Sequence, residues 1–410
     1  MQVAAKHDFT AKLRQASLMP VVIDYVRWQR AVRATRLTGA ETPEMPALRL
    51  VSLNLDLTTA CNFRCSHCVD WDNLNTGIHY DESDLFASLE GLIEQGLRSV
   101  ILIGGGEPTI HRTFEEVVRF LKARGMQVGI VTNGARGDVL ERIAPVLGRG
   151  DWIRLSLDSG RPETFIKMHA PRSRAVSLEG ICAWVPKIRR ANPDIQVGFS
   201  YIIVWDGSQR VEGVDITSNI DEIVEAAKLA KAHDFTYISY KPFLTRFADG
   251  AEAIDLKVMT DREGRKEEVM ARIVRAVEEA KGLETDSFKV LESTNLKVLM
   301  AENWREYTNQ PKTCHVMAFR QVLSPLGVFH CPGKRGSKQA RVANNKAFMP
   351  AHQEETRHAV AAMLETFDAS VECREVTCLY NAANWWLDGL VTGSDDLDEL
   401  ALPDLGDYYL

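Results

Sequence analysis

No stretch of the 410-residue chain approaches the ~18 consecutive apolar residues of a membrane span. The opening residues, MQVAAKHDFTAKLRQ, lack the apolar core of a secretion signal, so the expected location is cytoplasmic. Positive charge is not in excess. The formal net charge is −7, which gives no electrostatic footprint for nucleic acid or an anionic membrane surface. Internal repeats and low-complexity tracts are missing too. The 45% apolar and 26% charged residues are those expected of a soluble globular protein.

Cysteine is what the chain does have. Eight cysteines in an unsecreted chain of this length favour metal binding or catalysis over a disulfide framework. Cys61, Cys65 and Cys68 fall within CNFRCSHC, Cys182 stands alone, and Cys314, Cys331, Cys373 and Cys378 form a late group. Groups of three, one and four point to two metal sites of different kinds.

The first ~50 residues read as helical, with VVIDYVRWQRAVRATR amphipathic, and GAETPEMPALR reads as a linker. From Val51 an alternation begins. Strands are expected at VSLNLDL, SVILIGG, QVGIVTNG, WIRLSLD, IQVGFSYIIV and FTYISYKPF. Helices separate them at SDLFASLEGLIEQG, FEEVVRFLKARG, DVLERIAPVLG, SLEGICAWVPKIRRA and NIDEIVEAAKLAKAH. Six β/α units with right-handed crossovers imply an α/β fold, a partial (β/α)6 barrel. The expected organisation is an N-terminal helical extension (1–50), the barrel (51–247), a helical connector (248–310) and a C-terminal α+β module (311–410). That module holds a hairpin turning at Ser324 to Gly327. The strongest signals follow the strands, at Cys61, Gly104, Asn133, Asp158 and Lys241, the edge where α/β folds bind ligands.

Three cysteines on one loop can hold three corners of a 4Fe-4S cube and leave the fourth iron open to a non-protein ligand. A zinc knuckle completed by His67 or a remote residue is the alternative. The stretch TTACNFRCSHC resembles the CxxxCxφC loop of the radical S-adenosylmethionine (radical SAM) superfamily, with His67 in the φ position. The resemblance implies that the open iron chelates SAM, and that reductive cleavage releases a 5′-deoxyadenosyl radical able to take hydrogen from an unactivated C–H bond. It also implies further ligand contacts. IGGGEP resembles the family's GGE motif, which gives Gly105, Gly106 and Glu107 to the SAM ammonium group. Asn133 of VTNG could face the ligand, Ser156 and Asp158 of LSLDS could meet the ribose, and Arg172 of HAPRS resembles an arginine that meets the SAM carboxylate or the substrate. The fifth strand lacks the GxIxGxxE form associated with adenine contacts.

Four late cysteines satisfy a complete cluster or a structural zinc site. They resemble a Twitch module, the short relative of the SPASM module, which carries an auxiliary 4Fe-4S cluster. Cys182 reads as a core residue. Together these features imply SAM, two 4Fe-4S clusters and an external electron donor such as flavodoxin or ferredoxin. The expected reaction is oxidation of an alcohol or amine on a small polar substrate of sugar or aminocyclitol type, similar to aminoglycoside tailoring. Lys241 or His169 would serve as base or anchor. Epimerisation, dehydration and maturation of a ribosomal peptide are the competing outcomes, and an electron carrier is the non-enzymatic one.

Overall fold

The computed structural model describes residues 8–210, 216–247, 252–254, 265–397 and 399–410. Six parallel strands form its centre: β1 (Ser52–Leu55), β2 (Ser99–Leu102), β3 (Gln127–Thr132), β4 (Trp152–Ser156), β5 (Gln196–Ile203) and β6 (Tyr237–Pro242), hydrogen-bonded in that order. Their outward residues, among them Leu53, Val100, Val128, Ile153 and Val197, are completely buried. Each such side chain contributes ~1.5–3 kcal/mol on leaving water. The covering helices include α3 (Glu82–Glu94), α4 (Phe114–Ala123), α5 (Gly137–Ile143), α6 (Pro162–His169), α7 (Leu178–Cys182), α8 (Val185–Ala191) and α9 (Ile223–Ala232). The expected fold class holds: an open, curved α/β sheet whose helices lie on its outer side.

Several expectations change. SLEGICAWVPKIRRA is two helices, α7 and α8, because Pro186 at the start of α8 cannot continue a preceding turn. Asp81 caps α3, which starts at Glu82, one residue before the expected SDLFASLEGLIEQG helix, and the Asp81 carboxylate accepts from the Ser83 amide at 2.9 Å. The largest change concerns the late hairpin. Its strands, β10 (Arg320–Ser324) and β11 (Gly327–Phe329), turn at Ser324 to Gly327 as expected, but β10 pairs in parallel with β1. A further strand, β12 (Arg341–Ala343), follows on that edge, and β9 (Lys289–Glu292) extends the other edge beside β6. Among the described residues ten strands therefore form one sheet, and the late cysteines hang from the barrel's own edge. The connector expected over 248–310 falls partly outside the described residues, and within them it contains β9 as well as helices.

The N-terminal helix Met19–Thr38 packs on the late region: Tyr25 meets the His315 ring at Nδ1, 2.7 Å away, and the edge of Phe319. The C-terminal segment closes the N-terminal end of the barrel. Gln127 Nε2 donates to the Gly406 carbonyl (2.6 Å), Ser99 Oγ donates to the Tyr408 carbonyl (2.8 Å), and Tyr409 meets the Trp152 ring edge to face. The barrel thus opens at the C-terminal strand ends, where the sequence motifs lie.

Candidate active site

β1 runs through Asp56 into the cysteine loop, which is zipped to the end of α6. The Arg64 amide donates to His169 O, Ser66 N to Met168 O and Arg172 N to Asn62 O, at 2.8–3.1 Å. Trp71 is held between the Arg64 and Arg210 guanidiniums, 4.2 and 3.9 Å from its ring. Burial raises all three thiol pKa values. For Cys65 the next causes are Cys68 and Cys61 themselves, so the three sulfurs lie within mutual electrostatic reach. Three soft donors gathered on a rigid loop fit an iron–sulfur cluster, which would displace their protons on binding.

The polar residues beneath this loop serve it. His67 points inward and its Nε2 lies 3.0 Å from Asp158 Oδ2. His169, expected as a base or substrate anchor, is the last residue of α6 and is buried. Its Nε2 donates to the Leu157 carbonyl at 2.9 Å, and its Nδ1 lies 3.2 Å from Cys65 Sγ. Burial and then the neighbouring His67 lower its pKa to about 4. With both ring nitrogens engaged under the loop, it supports Cys65 and does not face a substrate opening. Asp158 differs from expectation in the same way. Its Oδ1 accepts from the Ile202 amide (2.7 Å), its backbone takes φ of 49°, and Asn219 Nδ2 donates to its carbonyl at 2.7 Å. Burial works against its charge, but His67, through a hydrogen bond and its ring charge, holds the carboxyl below the ordinary range. Each oxygen of this buried carboxylate thus already accepts a hydrogen bond from within the protein.

The glycine turn packs against the same loop. Gly105 has φ of 63°, and a Cβ there would sit 3.1 Å from Asp56 Oδ2. At Gly106 a Cβ would collide with the carbonyl oxygens of Ala60 and Thr58. Both glycines are therefore required by the close packing of this turn against Asp56 and the backbone leading into the cysteine loop. Glu107 is fully engaged within the protein: Thr109 N and Oγ1, Thr132 Oγ1 and the Asn133 amide all donate to it, at 2.5–3.1 Å. Burial still raises its pKa. Asn133 Nδ2 donates to Asn62 Oδ1 at 2.7 Å, so it too braces the cysteine loop. Arg172 is exposed and close enough to Cys61 to favour its thiolate.

The concave face of the barrel is polar. Ser156 of β4 is in register with Ser200 of β5, and Lys241 of β6 donates to Ser200 Oγ at 2.9 Å. Burial and then Arg154 hold the Lys241 ammonium well below its usual pKa. Arg154, on the same face of β4, carried no motif and was not singled out in the sequence. Alternating polarity in WIRLSLD was the available signal.

The four late cysteines line one cavity of about 40 Å³. Cys373 feels Cys314, Cys331 and Cys378 electrostatically, and Cys378 feels Cys331 and Cys314. Backbone links bring the segments together: Ala369 N to Lys312 O at 2.8 Å and Cys378 N to Tyr307 O at 3.2 Å. Arg320 and Lys334 also border this cavity. Between the two cysteine groups lies a buried charge network that the sequence did not reveal. Arg335 Nε is 2.9 Å from Asp56 Oδ2, and its Nη1 donates to Asp70 Oδ2 at 2.7 Å. Arg246 donates to the carbonyls of Val69 (2.8 Å) and Arg335 (2.5 Å). Glu252, nearby, has its pKa raised to about 7, by burial first and then by Asp70.

Comparison with known proteins was made against this geometry. Residues 55–240 match the Radical SAM superfamily. A 160-residue segment is 28% identical to an S-adenosylmethionine-dependent nucleotide dehydratase of Selenomonas ruminantium, covering 37% of this chain and 56% of that protein. A 126-residue segment is 35% identical to a GTP 3′,8-cyclase of Synechocystis, covering 28% and 36%. The chain thus spans about half or less of these relatives' length. Among solved structures, Streptococcus suis SuiB bound to the precursor peptide SuiA superposes with a TM-score of 0.53 at 12% identity, over 97% of this chain and 84% of that one. That likeness concerns the fold.

Proposed function

We propose that this chain, in which residues 55–240 are a radical SAM superfamily domain, is an oxidoreductase acting on a small polar substrate of sugar or aminocyclitol type. It would take a hydrogen atom from a carbon bearing a hydroxyl or amine and oxidise that carbon to a ketone or imine. The observation that carries the reading is the joint presence of a three-thiol loop at the strand ends and a four-thiol cavity beside it. An incomplete ligand set suits a cluster that shares an iron with SAM, and a complete set suits one that only exchanges electrons.

Cys61, Cys65 and Cys68 would hold the first cluster. Gly105 and Gly106, by resemblance to the GGE motif, would meet the SAM amino group through their backbone, and Arg172 offers charge near its carboxylate. The cluster and SAM supply, when bound, a 5′-deoxyadenosyl radical after one electron arrives from a flavodoxin or ferredoxin. Lys241, whose basicity burial and then Arg154 lower, is suited to accept the proton of the substrate hydroxyl or amine, or to anchor the substrate. Cys314, Cys331, Cys373 and Cys378 would hold an auxiliary 4Fe-4S cluster as electron acceptor. Epimerisation needs a thiol hydrogen donor at the substrate, and Cys182 is completely buried in the core. A second reading, loss of water from a nucleotide, draws on the names of the dehydratase relatives.

Anaerobic reconstitution followed by metal analysis tests the proposal. About eight irons per chain, with 5′-deoxyadenosine released from SAM and dithionite, is the expected outcome. About four irons with one zinc would give the late cysteines to a structural site. Absence of 5′-deoxyadenosine would leave an electron carrier.

A further inference from the structure

We propose that Arg320 sets the reduction potential of the late-cysteine site, its buried charge making a cluster held there easier to reduce. This role rests on the reading of that site as an auxiliary electron acceptor, and it names the residue that suits the site to the task.

The sheet places Arg320. β10 lies between β1 and β11, and Arg320, its first residue, is in register with Ser52 of β1. The side chain is buried and lines the same cavity as Cys314, Cys331, Cys373 and Cys378. Its guanidinium carbon stands 5.3 Å from the centroid of the Tyr380 ring. Tyr380 lines the cavity too, two residues beyond Cys378. An aromatic ring thus fixes the guanidinium at the cavity wall.

What Arg320 lacks is a partner. Its Nε and Nη1 are buried without a hydrogen bond, and among the described residues no carboxylate lies within ion-pair distance of it. Neighbouring cations are matched. Arg335 has Asp56 and Asp70 at 2.9 and 2.7 Å, and Lys334, also on the cavity wall, has Glu372 at 3.9 Å. Asp56 feels Arg320 only after its own burial, Arg335 and Asp70. No aspartate or glutamate lines the cavity. His330, on the same wall, has both ring nitrogens buried without a partner, and Asn384 Nδ2 donates to Cys314 Sγ at 3.9 Å. The cavity therefore offers its occupant positive charge and hydrogen-bond donors, with no negative charge besides the thiolates.

A buried cation without a counter-charge costs free energy that an anion beside it recovers. A cluster held by four thiolates is such an anion, and each electron it accepts adds a negative charge. Arg320 therefore stabilises the reduced form more than the oxidised one. The low dielectric of a buried site strengthens that preference, and a guanidinium keeps its charge at every working pH. Burial disfavours the Cys331 and Cys378 thiolates, and the charge of Arg320 works the other way on both. In the proposed reaction one electron leaves the substrate radical and enters this site, after the hydroxyl or amine proton has passed to a base. Arg320 favours that direction.

The test is a redox titration of the full chain, reconstituted anaerobically in a Cys65→Ala background so that the late site carries the cluster that is observed. The midpoint potential is read by electron paramagnetic resonance. Arg320→Gln and Arg320→Met should each lower the equilibrium constant for uptake of one electron about tenfold or more, a fall of about 60 mV per tenfold. Arg320→Met fills the space without a charge, so it answers the same question if Arg320→Gln does not fold. Arg320→Lys keeps the charge and should keep most of the potential. Metal analysis should find about four irons per chain in each protein. An unmoved midpoint in the neutral variants, or a fall in Arg320→Lys as large as theirs, would overturn the proposal while leaving the auxiliary cluster in place. Zinc at the late cysteines, with no reducible cluster in the Arg320 protein, would instead refute the auxiliary-cluster reading itself.

Discussion

The two cysteine regions solve the same problem by opposite means. Cys61, Cys65 and Cys68 lie within eight consecutive residues, on one loop clamped to α6 by backbone hydrogen bonds. Cys314, Cys331, Cys373 and Cys378 are scattered over separate segments and meet only because β10 joins β1 and the chain folds back around the hairpin. The first set faces the mouth of the barrel and has three donors, while the second encloses a small cavity and has four. A local set can leave a corner vacant without losing its shape, because the loop is held from beneath by His67, His169, Asp158 and Asn133. The dispersed set is brought together by the β10–β1 pairing and by backbone bonds such as Ala369 N to Lys312 O and Cys378 N to Tyr307 O.

Four substitutions break or sharpen this contrast. Cys65→Ala has the largest expected effect: SAM cleavage should fall to background, read as 5′-deoxyadenosine in a dithionite assay, and about four of the irons should be lost. Cys378→Ala should lose a similar amount of iron yet keep uncoupled SAM cleavage while product formation stops. Equal loss of cleavage in both variants would mean that the two regions are not separate in function. Gly106→Ala should push the loop away from the turn. Overpacking of this kind costs ~1–3 kcal/mol, measurable by denaturant unfolding, with weakened SAM binding.

The smallest effect concerns the charge network between the two regions. Glu252 has a folded pKa of about 7, above the ordinary carboxylate value, because burial favours its neutral form. The folded state therefore holds this proton more tightly than the unfolded one. Its contribution to stability is present at acid pH and is lost as pH rises from the ordinary carboxylate range through about 7. Glu252→Gln should flatten that part of the melting-temperature profile. An unchanged profile would remove Glu252 from the network.

Much of the barrel was legible. Six apolar runs of strand length, separated by helical periods, predict a parallel sheet because each run must be buried on its outer face and joined by a crossover. The glycine turn and the cysteine loop stood out because their spacing is local. The roles of individual side chains were less legible. His169 read as a base or substrate anchor and Asp158 as a ribose contact at a strand end, and both support the loop from beneath. Glu107 and Asn133 brace it too, whatever else they contact when a ligand is bound. Arg154 went unnoticed because a lone arginine inside a strand looks like alternation and carries no motif.

The sequence by itself determined where the strands and helices fall, and that thiols, glycines and polar side chains gather at one edge, since periodicity and spacing act over a few residues. Only the tertiary structure decided that β10 would pair with β1, that four distant cysteines would share a cavity, that Arg335 would reach Asp56 and Asp70, and that the last residues would close the barrel floor. Those outcomes depend on contacts between segments up to hundreds of residues apart. They are fixed by the burial and hydrogen-bond demands of the whole chain, which no short stretch of it encodes.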